Sequence, residues 1–147
     1  MTVIRRRAFT PYTCAQMFAL VNDVAAYPQF LPWCVEATVL HAGDAHMRAR
    51  LGVRKGPLAL SFTTANRVHP TSGIELALVD GPFEKLRGQW QFAPADGGCM
   101  VGLELEFEFG GRLGGAVLAR AFKPIADSLV DAFIQRAHAV YGGVRGS

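Results

Sequence analysis

Cysteine is scarce in this 147-residue sequence, and the few cysteines lie far apart. Cys14, Cys34 and Cys99 make an odd number, and no two of them form a CxxC pair. Such spacing provides neither the ligand pattern of a structural zinc site nor the motif of a dithiol redox centre. We therefore predict three small buried side chains rather than a disulfide framework.

Charge and long apolar runs are also limited. Only 18% of the residues are charged, and no segment approaches the ~18 consecutive apolar residues of a membrane-spanning helix. The basic residues near the start are not followed by the apolar segment of a secretory signal. We expect a soluble, cytoplasmic protein.

The motifs of common catalytic and metal sites are missing as well. Residues 110–115, GGRLGG, lie between a predicted strand and a predicted helix but lack the Lys-Ser/Thr that completes a phosphate-binding loop, so we interpret them as a hinge or lid. No HExxH or Ser-His-carboxylate grouping is present, although distant residues can still converge in space. The histidines are scattered over predicted turns, a strand and a helix: His41, His46, His69 and His138. We predict no catalytic residue and no metal site.

Apolar side chains are abundant instead. Half of the residues are hydrophobic and ten are Phe, which is enough for one sizeable core in a single domain spanning residues 1–147. Fifteen Lys and Arg against 12 Asp and Glu give a net charge of +3, which permits an anionic partner without requiring one.

The periodicity of the apolar residues predicts the order of elements. Residues 2–9 are expected to form a strand, and Thr13 and Gln16 have the spacing of a capping box that opens a helix ending near residue 22. Residues 25–34, AAYPQFLPWC, hold two prolines and three aromatics, which predicts a stiff corner. Residues 33–109 alternate with period two, as in six antiparallel strands.

The last part of the chain switches to helical spacing. The predicted helix runs to about residue 141, is stopped by Gly142 and is kinked or shortened by Pro124. Strand, short helices, six strands and a long helix together imply an α+β domain, with one curved sheet around the apolar face of the long helix. That face is formed by Leu118, Phe122, Ile125, Leu129, Phe133 and Val140.

The space between sheet and helix is the candidate site. Its aromatic lining fits a packed core and also fits a cavity for an apolar ligand, because a curved sheet cannot touch a straight helix along its full width. Composition alone leaves both interpretations open. The candidate ligand-binding residues are Phe30, Leu31, Trp33, Phe62, Leu78, Trp90, Phe92, Phe107, Leu118, Phe122, Ile125, Leu129 and Phe133.

Five ordered blocks extend over essentially the whole chain: PYTCAQMFALVNDVAAYPQFLPWC, FTTAN, LVDGPFEKLRGQWQF, LEFEF and VDAFIQRAHAVYG. Together they resemble the coenzyme Q-binding, START-like family of the polyketide cyclase/dehydrase type. The resemblance implies a helix-grip fold with a hydrophobic tunnel. The tunnel would bind ubiquinone or a related prenyl lipid without chemistry on it, in support of respiratory quinone function. The corner residues would form part of the tunnel wall.

Other members of the family widen the choice of function. For its toxin members, the resemblance implies binding to the large ribosomal subunit and a block of subunit joining. For more distant relatives it implies polyketide cyclase or aromatase activity, for which Asn66 and Asp80 are the inward polar residues near a strand end. Peripheral contact with a membrane is left open, and DNA is not expected as a partner.

The helix-grip order further implies that the first and last strands are neighbours. That order would place Arg5 and Arg7 beside three glutamates on the solvent face, Glu104, Glu106 and Glu108. A ribosome contact should then come from another basic surface. The candidates are Arg48, Arg50 and Arg54, which have outward parity.

Overall fold

The structure is a computed structural model that describes residues 1–111 and 113–142. The chain forms one antiparallel sheet and two main helices, so the predicted α+β class and order of elements are confirmed. A 3₁₀ helix follows the first helix at Val24–Gln29, and a π-helical turn follows the second at His138–Gly142. The elements are β1 (Thr2–Thr10), α1 (Cys14–Asn22), β2 (Cys34–Ala42), β3 (His46–Lys55), β4 (Leu58–His69), β5 (Gly73–Asp80), β6 (Phe83–Ala95), β7 (Gly98–Phe109) and α2 (Leu113–Ala137).

The strand order across the sheet is β1-β7-β6-β5-β4-β3-β2. The first and last strands are therefore neighbours, as the helix-grip order predicts, and Arg5 Nε lies 2.9 Å from Glu104 Oε1. Arg7 lies opposite Gly102 rather than opposite a glutamate, so that part of the predicted pairing is wrong.

Local sequence signals explain where α1 begins. Thr13 is the N-cap, and its side chain accepts a hydrogen bond from the backbone nitrogen of Gln16 at 3.0 Å. The side chain of Gln16 accepts in turn from the Thr13 nitrogen at 2.9 Å, which completes the predicted capping box. Pro28 lies inside the 3₁₀ helix that follows, so the predicted corner is a short helical turn leading into β2.

The edge strand β2 departs from its predicted burial. The alternation of Val35, Ala37 and Val39 in the sequence predicts that they share the inner face, yet Val35 and Val39 are 60% and 37% exposed. Pairing with β3 is irregular near each valine and β2 is an edge strand, so both side chains remain open to solvent although the 3₁₀ helix contacts this strand. The neighbouring Ala37 does pack against the core.

Helix α2 lies across the inner face of the sheet, with Phe122, Ile125 and Phe133 buried. Pro124 is exposed and lies inside the helix without ending it. Val140 was predicted on the apolar face but is 37% exposed, because the chain leaves α-helical spacing after Ala137. In the predicted hinge, Arg112 lies outside the described residues. None of the described helices has both the length and the apolar character needed to cross a bilayer.

The core divides into two clusters along α2. One cluster surrounds Phe133, whose ring packs edge-on against Tyr27 and Trp90 with centroids 5.3 Å apart in both pairs. The other surrounds Phe122, which meets Phe107 edge-on with centroids 5.0 Å apart. The seam between these two clusters is where the interior is incompletely filled.

Candidate functional site

A small cavity occupies the seam between the two core clusters, enclosed by the inner face of the sheet and by α2. Its volume is about 90 Å³. That volume holds about three waters, whereas pockets for drug-sized ligands measure roughly 300–1,000 Å³. The aliphatic residues that the sheet contributes include Ala49, Leu51, Val53, Ile74, Leu76, Leu86, Leu103 and Leu105.

Seven of the thirteen predicted ligand-binding residues line this cavity. They come from the corner, two strands and α2, which the fold brings together as expected: Trp33, Phe62, Trp90, Phe122, Ile125, Leu129 and Phe133. Their role toward a ligand stays a prediction, but their convergence on one enclosed space is a feature of the structure.

The other six predicted residues lie elsewhere in the core. Phe92 packs toward α1, edge-on to Phe18 with centroids 6.1 Å apart, and Phe107 is fully enclosed in the aromatic cluster around Phe122. Phe30 packs against Phe133 and lies beneath the guanidinium of Arg136, 4.9 Å from its ring centroid. The remaining three are also outside the lining: Leu31, Leu78 and Leu118. The spacing of apolar residues predicts which face of a strand or helix points inward, but not how far along that element the cavity extends.

Two polar side chains of β4 line part of the cavity. Thr64 and Asn66 are both buried and line it, and Thr64 Oγ1 donates a hydrogen bond to Asn66 Oδ1 at 2.8 Å. Asn66 was predicted to face inward, whereas Thr64 was missed even though it shares the parity of Phe62 and Asn66. Asp80 was also predicted to face inward, but it is exposed. The bulge that pairs Asp80 with Thr63 explains the difference.

Tyr27 adds a third polar side chain to the lining. Its hydroxyl donates to the backbone carbonyl of Val21, and burial raises the pKa of the phenol, so it stays neutral. The lining residues that the structure describes include no carboxylate, imidazole, ammonium or guanidinium group. Such a cavity can hold a neutral apolar group beside the side chains of Thr64, Asn66 and Tyr27.

The outer, solvent-facing side of the sheet carries a second and much larger depression. Its volume is about 890 Å³, and it opens over the middle of β3 to β7. Ala65 and Ala77 pair across β4 and β5 and are both in its lining, where their small side chains leave space. The charged and polar residues around it include His41, His46, Arg48, Arg67, Glu75, Arg87, Gln89, Glu104 and Glu106.

The charges on this outer face are unevenly paired. On β7, Glu104 bonds Arg5 and Glu106 bonds Arg87, with N···O distances of 2.9 and 2.8 Å. The glutamates were predicted to face solvent, and they do, as partners of arginine. The half formed by β5, β6, β7 and β1 is therefore largely neutralised.

The other half of the outer face is basic. Arg48, Arg50 and Arg54 are all exposed on β3, as predicted, and we call these three residues the β3 basic strip. Arg50 lies 4.0 Å from Glu36, while Arg48 and Arg54 have no carboxylate within ion-pairing distance in the part of the chain that the structure describes. Arg67 on β4, which was not predicted, adds to this half but lies opposite Glu75.

Comparison with known proteins identifies the family. A family model described as polyketide cyclase / dehydrase and lipid transport matches residues 10–134. The chain belongs to this family. Related proteins have names that refer to different activities. The ribosome association toxin RatA of Pseudomonas aeruginosa is 46% identical over 142 residues, covering 96% of this chain and 99% of that protein.

More distant relatives extend the range of named activities. The mitochondrial coenzyme Q-binding protein COQ10 homolog B of Xenopus laevis is 29% identical over 136 residues, covering 89% of this chain and 56% of that protein. The Zhui aromatase/cyclase from Streptomyces sp. R1128 has a TM-score of 0.83 at 13% identity, covering 97% of this chain and 98% of that one. A START superfamily protein from Mycobacterium smegmatis has a TM-score of 0.76 at 19% identity, covering 91% and 95%. The two structures establish the shared START-like fold, and the resemblance drawn from the sequence is confirmed.

Proposed function

We propose that this protein associates with the ribosome in the cytoplasm, through contacts with the large subunit that hinder subunit joining. The observation that carries the proposal is the 46% identity to the ribosome association toxin of P. aeruginosa over nearly the full length of both chains. The match extends over 96% of this chain and 99% of that protein, so it covers the whole domain rather than one shared motif.

The outer face of the sheet supplies a surface of suitable charge. Ribosomal RNA is a polyanion, and the β3 basic strip presents guanidinium groups that can form bidentate hydrogen bonds with phosphate. Arg48 and Arg54 are not engaged by carboxylates within the described residues, so an incoming phosphate need not displace a partner from them. In the half of the face formed by β5, β6, β7 and β1, Arg5 and Arg87 are already bonded to glutamates, which a phosphate would have to displace.

Sedimentation through sucrose gradients tests the proposal. Purified protein mixed with separated subunits should co-migrate with the large subunit at low salt and dissociate steeply as salt rises, because phosphate contacts release counterions. Its addition should lower the fraction of joined ribosomes. The proposal would be contradicted if the protein did not co-migrate with the large subunit at low salt, or if the fraction of joined ribosomes did not change.

A second candidate is the binding of a prenylated quinone, and the apolar cavity favours it. A quinone ring is neutral and carries carbonyl oxygens, which match a largely apolar lining that includes the side-chain amide of Asn66. Because the cavity of about 90 Å³ is smaller than a ligand pocket, uptake requires α1, the 3₁₀ helix or α2 to move outward. This candidate and ribosome association use opposite faces of the sheet and are compatible in one molecule.

Two matched variants, each replacing an alanine by leucine, test the second candidate. Ala49→Leu adds bulk inside the cavity, whereas Ala77→Leu adds the same bulk on the outer face. Titration with a short-chain ubiquinone should show uptake by the unmodified protein and by Ala77→Leu, but not by Ala49→Leu. Absence of uptake by all three proteins, together with no quinone in an organic extract of purified protein, would exclude quinone binding.

A further inference from the structure

Two cysteines that are far apart in the sequence meet at one end of the fold. Cys14 Sγ and Cys99 Sγ lie 2.7 Å apart, although 85 positions separate them along the chain. A disulfide bond has a length of ~2.05 Å, so joining these atoms requires a movement of less than about 1 Å. The sequence predicted three small buried side chains, which is wrong for the partly exposed Cys14. The pairing was not predicted because it depends on tertiary structure.

The backbone around the pair holds the two thiols together. Cys14 opens α1, and Cys99 on β7 pairs directly with Thr10, the last residue of β1. The chain therefore leaves β1 opposite Cys99 and turns back over it at the start of α1. Gly98 packs so closely on Thr10 that an added Cβ would overlap the Thr10 carbonyl. This corner keeps the backbone of the two cysteines together, while rotation about each Cα–Cβ bond sets the distance between the thiols.

The two thiols differ in access. Cys99 is fully buried, and burial, followed by the hydrogen bond that its neutral thiol shares with Cys14, raises its pKa to about 12. Cys14 is partly exposed, so a small reagent reaches it first. The third cysteine, Cys34, is buried and its thiol faces the backbone carbonyl of Glu36 at 3.4 Å. Cys34 is thus an internal control for a buried thiol with no partner thiol among the described residues.

We propose that Cys14 and Cys99 form a thiol–disulfide exchange site that is oxidised by low-molecular-weight disulfides such as oxidised glutathione. The Cys14 thiolate attacks one sulfur of the reagent, its disulfide bond breaks, and one glutathione thiolate leaves. Cys99 then attacks Cys14 Sγ, and its proton passes to the sulfur of the second glutathione, which leaves as a thiol. Two protein thiols are oxidised, one reagent disulfide is reduced, and the glutathione thiolate released first takes up a proton from solvent.

The resulting bond would fasten the start of α1 to the sheet. Val21, on the same helix, lines the interior cavity, so α1 is one wall of that space. Oxidation would therefore restrict outward movement of α1 and close a chain segment of 85 residues. Closing a segment of that length removes conformational freedom mainly from the unfolded chain, and the oxidised protein should be harder to unfold.

Thiol counting and peptide mapping of the full chain test this proposal independently of any ribosome or quinone binding. Native protein is incubated with oxidised glutathione at mildly alkaline pH, then unfolded in urea with iodoacetamide so that buried thiols are also blocked, and digested. The free thiols should fall from three to one, with a linked peptide pair containing Cys14 and Cys99 and with Cys34 alkylated. The urea midpoint should rise on oxidation and return after treatment with dithiothreitol.

Variants distinguish the pair from general oxidation. Cys34→Ala should behave as the unmodified protein does, whereas Cys99→Ala should stop at a mixed disulfide between Cys14 and glutathione. A persistent mixed disulfide on Cys14 in the unmodified protein, with Cys99 still alkylated, would overturn the proposal. So would linkage of Cys34 to either cysteine, or a native protein that keeps three thiols while its urea-unfolded form is oxidised.

Discussion

Thr64 Oγ1 donates a hydrogen bond to Asn66 Oδ1 across 2.8 Å on the inner face of β4. Both side chains are buried, at 8% and 6% exposure, in a lining that is otherwise almost entirely apolar. The bond engages the amide oxygen of Asn66, and both side chains also line the cavity. This relationship couples the stability of the sheet to the polar part of the cavity lining.

Removing one partner of this pair should cost more than removing both. Thr64→Val leaves the Asn66 oxygen buried without a donor, which should lower the free energy of unfolding by about 1–3 kcal/mol. Adding Asn66→Leu removes that unsatisfied group, so the double variant should regain part of the loss. Urea unfolding of the two single variants and the double variant measures the effect. Strictly additive losses would mean that the two side chains do not act as a pair.

The glycines at the start of α2 should respond in opposite directions to alanine. Gly114 has no atom within 4 Å of an added Cβ, whereas a Cβ on Gly115 would lie 2.7 Å from the carbonyl oxygen of Phe109. We expect Gly114→Ala to stabilise the protein by about 0.5–1 kcal/mol, because glycine is costly inside a helix. Gly115→Ala should destabilise it, since the backbone must shift.

Thermal unfolding of the two neighbouring variants provides its own control, because the change in composition is the same. If both variants are stabilised to the same degree, the contact between α2 and the end of β7 is looser than the structure indicates. The glycine run was predicted to be a hinge or lid, and within it Gly115 packs closely against the end of β7.

The sequence alone was sufficient to predict the order of helices and strands, but not which inward-facing residues line the cavity. Period-two spacing and turn residues determine where strands begin and end, and the capping box at Thr13 depends on a local spacing that can be read directly. The cavity depends on where two aromatic clusters fail to meet, which no local pattern records. Phe92 and Phe107 share inward parity with Trp90, yet only Trp90 lines the cavity.

Bulges and tertiary approach account for the remaining differences. The exposed Asp80 results from a register shift next to Thr63, which alternation along a single strand cannot reveal. The contact between Cys14 and Cys99 needs β1, α1 and β7 to be assembled first. The β3 basic strip, in contrast, was predictable because outward parity on a regular strand is a local property.

The ion pair between β1 and α2 should give a measurable pH dependence at acid pH. The hydrogen bond from Lys123 and the charge of Arg6 lower the pKa of Asp127, whose Oδ1 lies 2.8 Å from Arg6. Since the folded-state pKa is below the unfolded value of ~3.9, this stabilisation is present above pH ~4 and is lost as the pH falls through the folded-state value.

Asp127→Asn should therefore lower stability at pH 7 by less than about 1 kcal/mol, as expected for a largely exposed ion pair. The difference from the unmodified protein should shrink between pH ~4 and pH ~2. Urea midpoints over this range measure it. Asp131→Asn is the matched control on the same helix, because Asp131 has no ion-pair partner among the described residues. A difference that grows toward acid pH would contradict the assignment.

The β3 basic strip predicts how surface charge should affect ribosome binding. The triple variant Arg48→Ser, Arg50→Ser and Arg54→Ser removes three positive charges that carboxylates engage weakly or not at all within the described residues. We expect weaker binding and a shallower dependence on salt, with the slope falling by roughly one for each arginine that contacts a phosphate. Co-sedimentation with large subunits over a salt series gives both quantities.

A second triple variant makes this prediction specific. Arg5→Ser, Arg6→Ser and Arg87→Ser also lower the net charge by three, but each of these arginines is already paired with a carboxylate. If binding depends on guanidinium groups that are free to meet phosphate, the first triple should lose much more affinity than the second. Equal losses would indicate a response to overall charge alone.

The β3 triple variant should take up quinone as the unmodified protein does, because these side chains lie on the face opposite the cavity. Loss of quinone uptake would show that our assignment of the inner and outer faces of β3 is wrong.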